Sequence, residues 1–217
     1  PKSHMDFLEK KALLFSQYKK KFDFVLEKIK AGETYLLNLT QPTSIKTTLS
    51  LKEIFVCSNA HYKLRYKDEF VCFSPEKFIQ IKDSKISTYP MKGTIDASIP
   101  NAKETILNNQ KEMAEHVMVV DLLRNDLSIV AKNVKVEEFR YITEIEAGDK
   151  KLLHVSSHIS GNIGDDWHEK IGDILKALLP AGSISGAPKK STLDIISEVE
   201  GYKRGYFSGV FGIYNGK

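Results

Sequence analysis

Segments with strand character and longer amphipathic segments follow one another along this 217-residue chain in irregular blocks. Four short runs rich in aromatic and β-branched residues lie between positions 62 and 89. A long amphipathic pattern then runs from Pro100 to about Leu127, and further strand-like runs begin at Val134 and Leu152. Consecutive strands are typical of α+β proteins, whereas a doubly wound parallel sheet alternates strand and helix regularly. The order therefore predicts an α+β fold.

The remaining elements are predicted from hydrophobic periodicity and from turn residues. Further helices are expected over Phe7–Ala31, Leu51–Cys57, Trp167–Leu179 and Ala187–Val199, and further strands over Tyr35–Thr40 and Tyr206–Tyr214. No repeat or low-complexity linker divides the chain, so residues 1–217 are expected to form a single catalytic domain.

Composition narrows the possible partners. The chain is 41% hydrophobic and 28% charged, which is ordinary for a globular protein. A net charge of +4 suits an anionic small molecule but is far from the footprint of a nucleic-acid binder. No apolar run approaches membrane-spanning length. Cys57 and Cys72 lie in apolar contexts without metal-ligand spacing, and we interpret them as reduced core thiols of a cytoplasmic protein.

The stretch 88–94 carries the most chemical information. A β-branched and aromatic run ends at Pro90, and Lys92 directly precedes Gly93. Proline restricts the backbone and glycine allows a turn or a close approach of ligand, so Lys92 is expected at a strand end. A desolvated lysine can lose its proton and act as an amine nucleophile or base. From these residues alone, an ordinary surface lysine is the more common case.

A second segment, Gly182 to Lys189, combines glycines and hydroxyls with a helix start. Free N–H groups at such a start attract anions. The spacing matches neither a Walker A loop nor a dinucleotide fingerprint, so a carboxylate is the expected anion. A plain loop before a helix is the alternative.

A third segment contains acidic residues on the long helix. Glu115 has apolar neighbours, and a carboxylate there could face a cavity and bind Mg²⁺ through oxygen. Asp121, Arg124 and Asp126 are interpreted as structural ion pairs that end the helix.

Two further positions are candidates for acid–base chemistry. Glu76 follows Ser74-Pro75 at a strand-to-turn corner, where a half-buried carboxyl with a raised pKa could act as a general acid. His154 and His158 lie on a strand and are expected on one face, with Ser157 on the other. A turn-capping glutamate and ordinary strand histidines are the alternatives.

Taken together and in order, these segments resemble the chorismate-utilising enzymes. The resemblance spans roughly residues 26 to 216 and rests on 32–35 with 38–40, 74–76, 90–94, 114–115, 121–127, His154, 182–189 and 205–209. It implies the family's α+β fold, with antiparallel sheets packed face to face and helices outside. Lys92 resembles the lysine of the aminodeoxychorismate synthase branch, whereas anthranilate and isochorismate synthases usually carry alanine there.

The resemblance implies a role for each motif. Lys92 would attack C2 of chorismate as the C4 hydroxyl, protonated by Glu76, departs, and ammonia would then add at C4 and expel the lysine. The product would be 4-amino-4-deoxychorismate, a precursor of p-aminobenzoate and folate, and a partner glutaminase would supply the ammonia from glutamine. Glu115 would hold Mg²⁺ and His154 would line the ring pocket. The expected substrate-binding residues are Gly93, Thr94, Gly182, Ser183, Ser185 and Gly186, with Ser185 where the family often has threonine.

The chain also departs from the family pattern. Members continue with an arginine-bearing strand, a glycine-rich carboxylate loop and a helix bearing a second metal glutamate, and their N-terminal strands are largely absent here. We therefore expect a chain that is incomplete at both ends. Two alternatives remain open at this point: an anthranilate or isochorismate synthase-like enzyme, and a non-catalytic chorismate-binding module.

Overall fold

The computed structural model describes residues 7–147 and 150–216. They fall into two compact units, one formed by residues 7–73 with 184–209 and the other by residues 74–147 and 150–183 with 210–216. In chain order the strands are β1 (Phe7–Lys11), β2 (Leu36–Leu37), β3 (Ser44–Thr47), β4 (Tyr62–Tyr66), β5 (Phe70–Ser74), β6 (Gln80–Lys82), β7 (Lys85–Thr88), β8 (Met91–Asp96), β9 (Lys132–Ala147), β10 (Lys150–Asn162) and β11 (Gly186–Ala187). The helices are α1 (Phe15–Lys30), α2 (Leu51–Cys57), α3 (Ala102–Asn108), α4 (Gln110–Ser128), α5 (Ile171–Leu178), α6 (Gly182–Ser185) and α7 (Lys189–Glu200), and a 3₁₀ turn covers Asp165–His168.

The larger unit is built around strand β10. It pairs with β9 along one edge, while β8 and β7 share the other edge at different heights, and β6 pairs with β7. Each of these pairings is antiparallel, which confirms the predicted α+β class over a doubly wound parallel sheet. The β7–β8 break falls at Tyr89-Pro90, because proline has no N–H to offer a strand ladder.

Helix α4 packs against strands β8, β9 and β10. Its buried face consists of His116, Val119, Val120, Leu123 and Leu127. The single long helix predicted from Pro100 is instead two helices, because Asn109 adopts an extended conformation between them and accepts a hydrogen bond from the Glu112 N–H at 3.0 Å. This side-chain cap defines the start of α4 as a separate helix.

The smaller unit packs α1 against α7, and α7 against the β2 and β11 strands. Helix α2 has the predicted bounds, since Ser50 and Glu53 form a reciprocal capping box at its start. Helix α1 is shorter than predicted, because residues from Phe7 onward pair as β1 with β3. The strand predicted over Tyr206–Tyr214 is wrong, and this segment consists of turns and irregular chain.

Two further predictions concern the burial of the cysteines and the presence of membrane-spanning helices. Cys57 is exposed and Cys72 only half-buried, so the prediction of core thiols is wrong. Across residues 7–147 and 150–216, none of the helices combines the length and apolar character needed to cross a membrane.

Gly186 is the position where a side chain is least tolerated. Its φ is +134°, and a Cβ atom there would lie 1.9 Å from the Leu36 carbonyl oxygen on the paired strand. We expect Gly186→Ala to lower the free energy of unfolding by about 3 kcal/mol. The backbone strain of a non-glycine residue at this φ adds to the steric clash, and the clashing atom belongs to the backbone of a paired strand and cannot move without breaking that pairing. Gly201→Ala is the matched control: φ is +71° but no atom lies within 4 Å, so about 1 kcal/mol is expected. Equal urea midpoints for the two variants would contradict this account.

Candidate active site

Lys92 and Glu76 lie close enough to act on each other electrostatically. Lys92 is the second residue of β8 and is half-buried, as is Glu76 in the turn after β5. The Ser74 hydroxyl accepts a hydrogen bond from the Glu76 N–H at 3.1 Å and so fixes this turn. Burial raises the pKa of the Glu76 carboxyl, and the positive charge of Lys92 partly opposes that rise. An amine and a carboxyl with a raised pKa thus lie within electrostatic reach of each other, which is a feature common at functional sites.

Thr94 and His154 form a direct cross-strand pair on β8 and β10. The Thr94 Oγ1 and the His154 Nδ1 are 3.2 Å apart. Burial lowers the pKa of the His154 imidazole and so favours its neutral form. Two residues predicted to meet the substrate are therefore neighbours: Thr94 lies on the strand that carries Lys92, and His154 lies on the adjacent strand.

Gly93 brings the β8 backbone close to helix α4. Its φ is +89°, and a Cβ atom there would lie 3.2 Å from the Glu112 Oε2. Glu112 is therefore a carboxylate beside the Lys92-Gly93 peptide that the sequence analysis did not assign. Its spacing of three residues from Glu115, one helical turn, was the available signal.

The glycine-rich segment after α5 begins against helix α4. The Gly182 N–H donates to the Asp126 Oδ2 at 3.1 Å, and a Cβ on Gly182 would lie 2.9 Å from the Leu122 Cγ. Glycine is needed here because the two backbones approach closely. Asp126, expected to end the helix, thus positions this loop, whereas the predicted ion pair between Arg124 and Asp121 is present at 2.8 Å on the surface.

The other predicted anion-binding residues are placed differently. Ser183 belongs to the same unit as Gly182, whereas Ser185 and Gly186 belong to the smaller unit. The Ser185 side chain is almost fully buried, and its carbonyl accepts from the Asn38 N–H at 3.1 Å. Their roles as substrate ligands stay predictions.

The predicted metal ligand Glu115 is exposed, with its carboxylate 3.8 Å from the Lys111 ammonium. It does not face the core as its apolar neighbours suggested, since the buried face of α4 begins at His116. Within the described ranges no cluster of three or more histidine, cysteine or acidic side chains could hold a metal ion. Mg²⁺ is nevertheless commonly bound by one or two carboxylates plus substrate oxygens and water, and Glu115 with Glu112 fits that donor set.

Comparison with known proteins identifies the family of the chain. The family model of the chorismate binding enzymes matches residues 2–217, so the chain belongs to the chorismate-binding enzyme family. An "uncharacterized PabA-like protein" of Haemophilus influenzae is 53% identical over 203 residues, which are 94% of this chain and 62% of that protein. Aminodeoxychorismate synthase component 1 of Bacillus subtilis is 32% identical over 209 residues, 88% of this chain and 43% of that protein. The chain thus spans less than two thirds of the length of these relatives.

Solved structures show the same fold. Anthranilate synthase component I from Streptococcus pneumoniae superposes with a TM-score of 0.70 at 23% identity, covering 93% of this chain and 46% of that one. A putative isochorismate synthase from Bacillus anthracis gives 0.68 at 19% identity, covering 93% and 58%. The predicted family fold is therefore confirmed.

Proposed function

We propose that the full-length protein is an aminodeoxychorismate synthase, which converts chorismate and ammonia to 4-amino-4-deoxychorismate. The observation that carries this proposal is the lysine at position 92, half-buried on β8 and within electrostatic reach of Glu76. Anthranilate-type enzymes usually carry alanine at this position and therefore have no amine nucleophile. The relation to aminodeoxychorismate synthase component 1 of Bacillus subtilis supports the same choice.

In the proposed reaction the Lys92 amine forms a bond to C2 of chorismate as the C4–oxygen bond breaks. Glu76, whose pKa is raised by burial, is suited to give the departing hydroxyl its proton, so that it leaves as water. Ammonia then bonds to C4 and the C2–lysine bond breaks, which returns the amine. Dividing one substitution into two covalent steps is nucleophilic catalysis.

Charge neutralisation at the substrate carboxylate is assigned to Mg²⁺ held by Glu115, with Glu112 as the neighbouring carboxylate. Gly182 and Ser183, at the start of α6, are assigned to a substrate carboxylate as the family resemblance implies. The ammonia is assigned to a glutamine amidotransferase subunit, as the family resemblance implies. In this proposal the protein acts in the cytoplasm and contacts neither membrane nor nucleic acid.

Product analysis tests the proposal. Full-length protein is incubated with chorismate, Mg²⁺ and an ammonium salt, and the products are separated chromatographically. Aminodeoxychorismate is expected; it is not aromatic and yields p-aminobenzoate only after a lyase is added. Formation of anthranilate, which is fluorescent, or of isochorismate would instead indicate an anthranilate or isochorismate synthase-like enzyme. Chorismate binding without turnover would identify a non-catalytic module.

Glu115→Gln is expected to raise the Mg²⁺ concentration needed for half-maximal turnover by about tenfold or to abolish turnover, because the variant loses one anionic oxygen ligand. Initial rates measured across a Mg²⁺ titration check this. Glu104→Gln, at an exposed position on α3, is the control and should leave the Mg²⁺ dependence unchanged. An unaltered titration for Glu115→Gln would remove the metal assignment.

A further inference from the structure

The backbone before Lys92 is held by a buried polar group that the proposed mechanism does not use. The Pro90 carbonyl accepts a hydrogen bond from the Ser157 N–H at 3.0 Å, across the gap between β7 and β8. The Ser157 hydroxyl oxygen accepts a hydrogen bond from the backbone N–H of Arg140 at 2.9 Å and lies 2.7 Å from the His116 Nε2. Ser157 therefore links helix α4 to the strand end that carries the proposed nucleophile.

His116 is completely buried, which is unusual for a histidine on a helix that presents apolar side chains to a sheet. Burial lowers the pKa of its imidazole, and the nearby charge of Arg140 lowers it further, although a backbone group of Lys92 favours the protonated form. The Ser157 hydroxyl has one donor and two acceptor sites, so it can pair with Nε2 while it accepts from Arg140, and this bond orients the ring.

Nδ1 is buried and has no hydrogen-bond partner within normal limits among the described residues. A buried polar nitrogen without a partner costs on the order of 1–3 kcal/mol. The ring also interacts with the Lys92 backbone. His116 is thus connected to the stretch 90–92 in two ways, through Ser157 and through the Lys92 backbone.

The Arg140 side chain supports this arrangement from the other side. Its guanidinium donates to the carbonyls of Ile106 and Leu107 at the end of α3, at 3.1 and 2.8 Å. Ile106 also lies within 3.5 Å of the position that a Cβ on Gly93 would take. The contacts of His116, Ser157 and Arg140 therefore enclose the Lys92-Gly93 peptide between α3, α4 and β10.

We propose that His116 is a positioning residue for Lys92: through Ser157 and the Lys92 backbone it fixes the Pro90–Gly93 stretch so that the lysine amine meets the substrate. His116 touches no substrate itself. The inference rests on the proposed function for its catalytic consequence, but its structural half, the ordering of 89–93, can be measured separately.

The variants His116→Gln and His116→Leu separate hydrogen bonding from packing. Glutamine keeps an amide that can reach the Ser157 hydroxyl, whereas leucine fills similar space without a polar group. Met118→Leu, on the exposed side of the same helix, is the control. Each variant is made in the full-length protein and its melting temperature recorded, so that a variant that fails to fold is recognised.

Hydrogen–deuterium exchange of the peptide covering residues 89–93 measures the structural part of the proposal, the ordering of this segment. His116→Leu should exchange at least about tenfold faster there than the parent and His116→Gln within about threefold of it, and both should match the parent in the peptide from α5. If leucine leaves exchange at 89–93 unchanged, His116 does not position this segment, whatever the enzyme makes. If leucine and glutamine accelerate exchange equally, the role is packing and the proposal is wrong.

Steady-state kinetics of chorismate consumption read the catalytic half, because this assay does not depend on which product forms. For His116→Leu, kcat should fall by about tenfold to a hundredfold, the size expected from misplacing a reacting group, while the KM for chorismate stays within about threefold. His116→Gln should restore kcat to within about threefold of the parent. Equal kcat for all three proteins would overturn the positioning role. A parent that makes anthranilate would overturn the proposed function and leave the exchange result standing.

Discussion

Replacing Lys92 with alanine in the full-length protein is expected to abolish the formation of aminodeoxychorismate, with a loss of kcat on the order of 10³-fold or more. The reason is that the variant lacks the amine that forms the covalent bond to C2, and removal of a nucleophile is among the most damaging changes to an enzyme. The fold should survive, since the Lys92 side chain is only half-buried and β8 is held through its backbone pairing with β10.

The measurement is the rate of aminodeoxychorismate formation from chorismate and an ammonium salt, with chorismate binding followed by calorimetry. Lys82→Ala, at a lysine with 78% of its side chain exposed, is the control and should retain parental activity. Withholding ammonia provides a second readout: the parent should accumulate an adduct on the Lys92 peptide with the mass of chorismate less one water. Aminodeoxychorismate made by Lys92→Ala at the parental rate would disprove covalent catalysis by this residue.

The family and the main site motifs are readable from the sequence because they depend on local backbone requirements. A proline that interrupts a strand ladder and a glycine with a positive φ mark the two sides of Lys92 at 90 and 93. The Ser50 capping box likewise defines the start of α2 at the predicted residue. Each of these signals is a property of a few consecutive residues.

Features that depend on long-range contacts were not predictable in the same way. Glu115 was expected to face a cavity because its neighbours are apolar, yet packing against the sheet buries His116 and leaves Glu115 exposed. The bond between Asp126 and the Gly182 amide joins residues 56 positions apart, so no local pattern could indicate it. Val117 and Met113 are apolar but exposed on α4, so residue type alone does not identify the face of this helix that packs on the sheet.

The second large effect is expected at Glu200, the last residue of helix α7. Its side chain is 1% exposed, and its carboxylate oxygens accept from the Arg204 Nε at 2.9 Å and Nη2 at 2.6 Å. The backbone N–H and hydroxyl of Thr40 each donate to the same carboxylate at 2.8 Å. Arg204 also donates to the Asn38 carbonyl at 2.8 Å. The pair therefore joins the end of α7 to the segment after β2.

We expect Glu200→Ala to lower the free energy of unfolding by about 3 kcal/mol, because the guanidinium of Arg204, with 15% of its side chain exposed, loses its counter-charge and Thr40 loses its acceptor. Urea unfolding of the chain measures this. Glu198→Ala, at an exposed position on the same helix, is the control and should change stability by less than about 0.5 kcal/mol. The double variant Glu200→Leu with Arg204→Met should be less damaging than Glu200→Ala alone, since it leaves no unpaired buried charge.

Acid should weaken the same contact. Burial alone raises the pKa of the Glu200 carboxyl, but the hydrogen bonds from Arg204 and Thr40 outweigh burial and hold that pKa below its ordinary value. A carboxyl with a lower pKa in the folded than in the unfolded state contributes full stability above the unfolded pKa, about 4.3 for glutamate, and loses it as the pH falls through the folded pKa. The difference in unfolding free energy between the parent and Glu200→Gln should therefore be constant from pH 7 down to about 5 and shrink below about 4. A difference that stays the same down to pH 3 would show that hydrogen bonding by the neutral side chain, and not the buried ion pair, stabilises the end of α7.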